Sequence, residues 1–220
     1  MPDSMFVYGA HSALQRYAEG SQTSVPLDVY GGLRTSQHLP PLYELTKAGR
    51  VYTAQFGVVA NAVASVTDIP TTGAHFALYN GNTAGLGGLS LVILSVGWAS
   101  ASGTVGIGAF AVAGVSGGAQ AAALTTTAGN LIKSCSGSTR TSAATADSTA
   151  TLTTAPAWEI IGNYNGVSGV GIGFGSVHDP KGGFLVPPTY VFGVAIVSPT
   201  GTTPAFLCSI KYAEVETYLV

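Results

Sequence analysis

Between Ile69 and Ile132 the chain contains no Asp, Glu, Lys or Arg. A stretch of that length cannot be the charged outer face of ordinary surface helices, so it must be buried, covered, or built from uncharged residues that pack at a surface. Its residues are mainly Gly, Ala, Ser, Thr and Val, which favour pleated strands and tight turns, and the long-chain helix formers are scarce. Charged residues make up 8% of the whole chain, against about 25% in a typical soluble domain. With 30 glycines in 220 residues, the expectation is a mainly β chain. The same span, from Leu86 to Val115, is also the strongest membrane candidate. Gly or Ser interrupts its apolar runs every few residues, however, whereas a spanning helix needs about 20 predominantly apolar residues. Strands explain it better, and no membrane partner is expected.

The formal net charge is −2. No stretch combines Lys or Arg with interleaved aromatics, so nucleic-acid binding is not expected. The first twenty residues carry Asp3 early and no basic region ahead of an apolar run, which does not read as a secretory signal. Weak self-repulsion favours association, and contact faces between proteins are depleted in charge. Cys135 lies in a Ser/Gly/Thr stretch, while Cys208 alternates with Phe206, Ile210 and Tyr212 on an apolar strand face and reads as a buried free thiol.

Charge density changes near residue 50, which divides the chain into an irregular N-terminal arm (residues 1–50) and a charge-poor body (residues 51–220). In the arm, His11–Glu19 closed by Gly20 and Pro41–Ala48 closed by Gly49 read as short helices. In the body the strand candidates are Val51–Val59, His75–Tyr79, Leu89–Gly97, Thr104–Ala113, Ala150–Thr154, Val167–Val177, Tyr190–Ser198 and Phe206–Tyr218. Gly, Pro and Asn clusters separate them. The last two, flanking Ser198–Pro204, read as a hairpin. Eight strands with long links predict an all-β, jelly-roll-type antiparallel β-sandwich. An immunoglobulin-like sandwich would carry a Cys–Trp–Cys pattern that is missing here. The segment Gly114–Ala157, rich in Ala, Ser and Thr, reads as one long exposed loop or as two weak strands.

Few residues offer chemistry. Gly114-Val-Ser116-Gly-Gly118 matches the G-x-S-x-G string, but the nucleophile elbow needs a helix directly after it and a later His and acid. The next residues, Ala119 to Gly129, make a poor helix, and His178 is the only later histidine. Gly106-Ile-Gly108-Ala-Phe-Ala111 matches a loose dinucleotide fingerprint without its helix or its acidic partner, and reads as a glycine-studded strand. Alternate glycines from Gly169 to Gly175 flatten a sheet face, which lets another backbone approach closely. His11, His38, His75 and His178 show no metal spacing, and His178-Asp179-Pro180-Lys181 reads as a solvated turn. Asp147, Glu159, Asp179, Glu214 and Glu216 are the only carboxylates after Asp68. Glu214 and Glu216 share a strand face and read as charges guarding a sheet edge. No catalytic residue, cofactor site or metal site is expected.

The string Phe184-Leu185-Val186-Pro187-Pro188, then Val194-Ala195-Ile196-Val197-Ser198, then Lys211-Tyr212-Ala213-Glu214 resembles small tailed-bacteriophage virion proteins. Leu78-Tyr79-Asn80-Gly81 leading into Leu89–Val96 resembles the same group, and the likeness covers roughly residues 50 to 220. It implies a jelly-roll module that decorates or cements capsids or forms fibres, often as a homotrimer, with no catalytic residues to carry over. The expected function is therefore a non-enzymatic virion structural protein, assembled in the host cytoplasm. Its partners would be copies of itself and other virion proteins such as a major capsid protein. The alternative is a receptor- or carbohydrate-binding fibre head using Tyr79, Trp98, Trp158 and Tyr164 to stack on sugars.

Overall fold

The computed structural model describes residues 42–62, 68–83, 88–105, 108–163, 175–198 and 201–216, with the side chains of residues 58–62 and 201–203 left aside. The chain divides between Tyr43 and Glu44 into two units, and the strands all belong to the second. Most of the expected arm, including the helix expected at His11–Glu19, lies outside the described residues.

The order of elements is α1 (Tyr43–Lys47), β1 (Val51–Ala62), β2 (Gly73–Tyr79), β3 (Leu89–Val105), β4 (Phe110–Val115), β5 (Leu131–Ser134), β6 (Thr145–Thr151), β7 (Glu159–Asn163), β8 (Gly175–His178), β9 (Leu185–Val186), β10 (Val191–Val197) and β11 (Gly201–Glu216). The helix expected at Pro41–Ala48 is present as the single turn α1. Gly49 at φ +70° ends it: its N–H donates to Thr46 O while Arg50 N–H reaches back to Leu45 O, the paired bonds of a Schellman cap.

All strand pairing is antiparallel. One sheet runs β5-β1-β11-β3-β8, with β9 also on β3, and the other runs β6-β2-β10-β4-β7. The protein is an all-β sandwich, as the composition predicts. Its core lies between the sheets, with Tyr52, Phe56, Ile93, Val96, Phe206, Ile210 and Tyr212 from the first facing Phe76, Leu78, Ala111, Phe192, Val194 and Ile196 from the second. Phe56 meets Phe76 edge-on at 5.6 Å across the gap, an arrangement that adds to simple burial.

Several strand expectations need correction. No two consecutive strands pair with each other among the described residues. Tyr190–Ser198 and Phe206–Tyr218 are therefore not a hairpin: β10 bonds to β2 and β4, while β11 bonds to β1 and β3 in the opposite sheet. The chain therefore passes from one sheet to the other between Ser198 and Gly201. A turn sequence records that the chain reverses, not whether it reverses within a sheet or between sheets. Thr104–Ala113 is likewise not one strand. It contains the end of β3 and the start of β4, in different sheets, with Gly108 between them at φ +80°. In the Ala/Ser/Thr segment, β5 and β6 are the two weak strands of the second alternative; the strand expected at Ala150–Thr154 coincides only with the end of β6, and β7 and β9 match no expected strand. Of the expected strand Val167–Val177, only the part within β8 is described.

Candidate functional site

The two outer faces of the sandwich differ. On the β2–β10 sheet, Ala74, Ala77, Tyr79, Ala150, Leu152 and Val191 form a second apolar cluster, with Leu124 and Trp158 packed on it. The covering comes from the low-complexity segment. Ser116 N–H donates to Val191 O (2.8 Å), and its hydroxyl accepts Val191 N–H (3.1 Å) while donating to Gly118 O (2.8 Å). Gln120 clasps the end of β6, its Nε2 donating to Thr151 O (2.9 Å) and its Oε1 accepting Thr153 N–H (2.9 Å). Trp158 Nε1 donates to Pro70 O (2.6 Å) and lays its ring over Gly193, where a Cβ would sit 3.3 Å from Cη2. The strap then turns around the open side of the sandwich. Asn130, buried, donates from Nδ2 to Ala146 O (2.8 Å) and accepts Gly57 N–H at Oδ1 (2.7 Å). One amide thus ties β1 of one sheet to β6 of the other. Small residues without charge suit this task because they press close to a sheet without leaving buried charge behind.

The other outer face has no such strap among the described residues. Strand register sets its side chains in rows. Lys133, Thr53, Lys211 and Ser95 form one row across β5, β1, β11 and β3. Leu131, Gln55, Ser209, Gly97 and Val177 form the next, reaching β8, and Leu207, Ala99 and Gly175 the one after. Gly57, Gly97, Ala99, Gly175, Val177, Leu207 and Ser209 are among the residues lining a shallow groove of about 430 Å³. Val177 stands 77% exposed beside it, with Leu131 and Leu207 also exposed. Lys133 and Lys211 are the only charges in these rows. Cys135 lies at the margin, its Sγ 3.3 Å from Thr53 Oγ1, exposed and free.

A polar chain closes one end of the core. Tyr212 Oη donates to Ser142 Oγ (2.8 Å), which donates to Glu214 Oε1 (2.6 Å). Glu214 is only 2% exposed. Tyr52 stacks on Tyr212 at 5.6 Å, and burial raises the pKa of both phenols, with Glu214 adding to the rise. The chain pins the loop after β5 to the sandwich. The expectation for Glu214 and Glu216 is therefore corrected: β11 lies between β1 and β3 and is no edge. Glu214 is a buried acceptor, and Glu216 lies 3.8 Å from Arg50.

The remaining candidates are dispersed. After Ser116 the chain is irregular up to β5, without the helix a nucleophile elbow requires. In the glycine-studded string, Gly108 occupies a turn and Phe110 and Ala111 start β4. His75 Nδ1 accepts Ile196 N–H (2.9 Å), and burial lowers its pKa. His178 ends β8, and Asp179 accepts Lys181 N–H (2.9 Å) in the solvated turn. Asp147 accepts Thr127 Oγ1 (2.5 Å), and Glu159 is exposed on β7. Cys208 is buried and free, as its alternation predicts, and burial pushes its pKa well up. Tyr79 and Trp98 are buried and Trp158 packs on the second cluster, so three of the four aromatics proposed for sugar stacking are engaged in packing. His11, His38, Tyr164 and Gly169–Gly173 lie outside the described residues. No group of three or more His, Cys, Asp or Glu suited to a metal occurs among the described residues, and no helix there is long and apolar enough to cross a membrane.

Fold and surface together define an antiparallel β-sandwich whose β2–β10 sheet is covered by its own strap, while the other sheet leaves, among the described residues, the rows from Lys133–Ser95 to Leu207–Gly175 exposed and buries Val51 and Ala213 on the same side. Comparison with protein-family models, with curated proteins and with solved structures finds no match. Of the glycines read from the sequence as flattening a sheet face, Gly175 lies on the exposed face beside Ala99, while its partners Gly57 and Gly97 come from strands far away in sequence.

Proposed function

We propose that this chain is a non-enzymatic virion structural subunit, a jelly-roll module that assembles with copies of itself and with other shell proteins through charge-poor surface. The observation that carries the reading is the bare face: five strands wide, with two lysines and no carboxylate in its rows. A solvated sheet face normally alternates apolar-in with polar-out and carries charge, whereas contact surfaces are depleted in it.

Strand order supports the jelly-roll part. Setting aside β5, β6 and β9, the eight remaining strands pair first with last (β1–β11), second with seventh (β2–β10), third with sixth (β3–β8) and fourth with fifth (β4–β7). That is the order obtained by winding one long antiparallel ribbon around a core, two Greek keys in succession.

The test is the mass of the purified full chain in solution, by light scattering coupled to gel filtration across a hundredfold concentration range. The reading expects a stable multiple of 22.1 kDa. A soluble monomer at the highest concentration would sink it.

A further inference from the structure

We infer that His75 is an acid-sensitive latch, which holds the C-terminal end of β10 against β2 and releases it when the imidazole takes up a proton. The latch sits in the strap-covered sheet and stands apart from the assembly reading above.

The ladder between β2 and β10 stops short. It pairs Val191 with Tyr79, Phe192 with Leu78, Gly193 with Ala77 and Val194 with Phe76. The same register would set Ile196 against Ala74, yet the pairing ends before that point. A side chain takes over: the Ile196 N–H donates to His75 Nδ1 at 2.9 Å. On its other side β10 keeps its backbone partners, Ile196 with Ala111 and Val197 with Phe110. The end of β10 is thus tied to β4 by its backbone and to β2 by one imidazole.

The opposite flank of His75 is interrupted as well. β2 pairs with β6 through Ala74–Ala150 and Phe76–Ser148, and skips His75 and Thr149 between them. Thr149 has φ +68°, a left-handed conformation that crowds a β-branched side chain. Such a residue persists only where its surroundings hold it. Strain in β6 therefore lies across from the one residue of β2 that is in register with neither neighbour.

A neutral imidazole accepts at Nδ1 when its proton is on Nε2, whereas imidazolium donates from both nitrogens and accepts at neither. Protonation sets donor against donor at Ile196 and leaves a charge that is costly to bury. No countercharge is built in. β1, β2, β4, β10 and the strap from Ser116 to Asn130 carry no Asp, Glu, Lys or Arg, and their only other titratable groups are the phenols of Tyr52 and Tyr79. Asp147, the one carboxylate of β6, stands opposite Ala77 and accepts Thr127 Oγ1. Asp68 ahead of β2 and Glu159 on β7 are exposed. Burial accordingly lowers the pKa of His75 from its ordinary 6.5. The latch is closed above pH 6.5 and weakens as the pH falls below it. Because the released ring protonates at its ordinary value, opening is favoured up to about thirtyfold more at pH 5.0 than at pH 7.5.

Hydrogen exchange of the full chain read by mass spectrometry at these two pH values, with times scaled to equal intrinsic rates, tests the latch. His75→Asn is the comparison, since Asn Oδ1 takes the place of Nδ1 and accepts without titrating. In the wild type, segments 73–76 and 194–198 should lose protection at least fivefold at pH 5.0, while Val51–Phe56 and Phe206–Tyr212 keep theirs. The Asn variant should be protected alike at both. Equal wild-type protection at the two pH values overturns the latch, as does an equal acid loss in the Asn variant or a loss shared by both sheets. A reading free of the variant comes from magnetic resonance: the Ile196 amide signal should move with the His75 ring signal through one transition below pH 6.5. An Ile196 amide that ignores that titration also overturns it.

Discussion

Asn80 is the side chain whose removal should cost the sandwich most for its size. It is completely buried at the end of β2, and its Nδ2 donates to Leu89 O (2.8 Å) and Val186 O (2.9 Å). Its Oδ1 accepts the Asn82 N–H and Nδ2, while its backbone continues the ladder to Thr189 and Tyr190. One amide thus joins the end of one sheet to β3 and β9 of the other. Asn80→Asp keeps the shape and exchanges the two donors for acceptors facing two carbonyls. Each buried carbonyl left without a donor costs about 1–3 kcal/mol, and stronger bonds from Asn82 to a carboxylate return part of that, for a net loss of about 2–4 kcal/mol. For a domain of this size, at about 2–4 °C per kcal/mol, the midpoint should fall by roughly 5–15 °C. Differential scanning calorimetry at pH 7 reads the shift, with Asn82→Asp as a less buried comparison that should lose less than half as much. A midpoint within 2 °C of wild type for Asn80→Asp would refute the clamp.

The same geometry sets three further outcomes. Ser142→Ala leaves the Glu214 carboxylate without its hydroxyl donor and Tyr212 Oη without its acceptor, and should lower the urea-unfolding free energy by about 2–3 kcal/mol. His75 is held neutral by burial, with its pKa below 6.5. Protonation therefore favours the unfolded chain, and stability present above pH 6.5 should decline as the pH falls from 6.5 towards 5, a slope that His75→Gln should flatten in thermal melts. Because no consecutive strands pair among the described residues, most contacts there close long loops, and stopped-flow refolding should take seconds rather than milliseconds. A millisecond phase carrying the full amplitude would contradict the topology.

Much of this protein is legible in local residue types. Val, Thr, Phe and Tyr in short runs between Gly, Pro and Asn clusters mark β1, β2, β10 and β11, because pleating and turn formation depend on neighbours in the sequence. Alternation of Phe206, Cys208, Ile210 and Tyr212 foretells one buried strand face, since side chains on a strand alternate with period two.

Tertiary structure alone decides the rest. Pro199–Gly201 looks like a hairpin turn whether β11 returns beside β10 or crosses to the opposite sheet, and only pairing with β1 and β3, far away in sequence, selects the crossing. Glu214 looks like an edge charge until Ser142, from a distant loop, is placed against it. The uncharged span itself has two fates. The part after Val115 covers its own sheet, while Gly97 and Ala99 of β3 contribute to the bare face, together with Gly57, Gly175 and Leu207 from elsewhere. Composition is the same on both sides of that division. What separates them is which sheet each strand joins, a choice made by pairing over long sequence distances that no local pattern records.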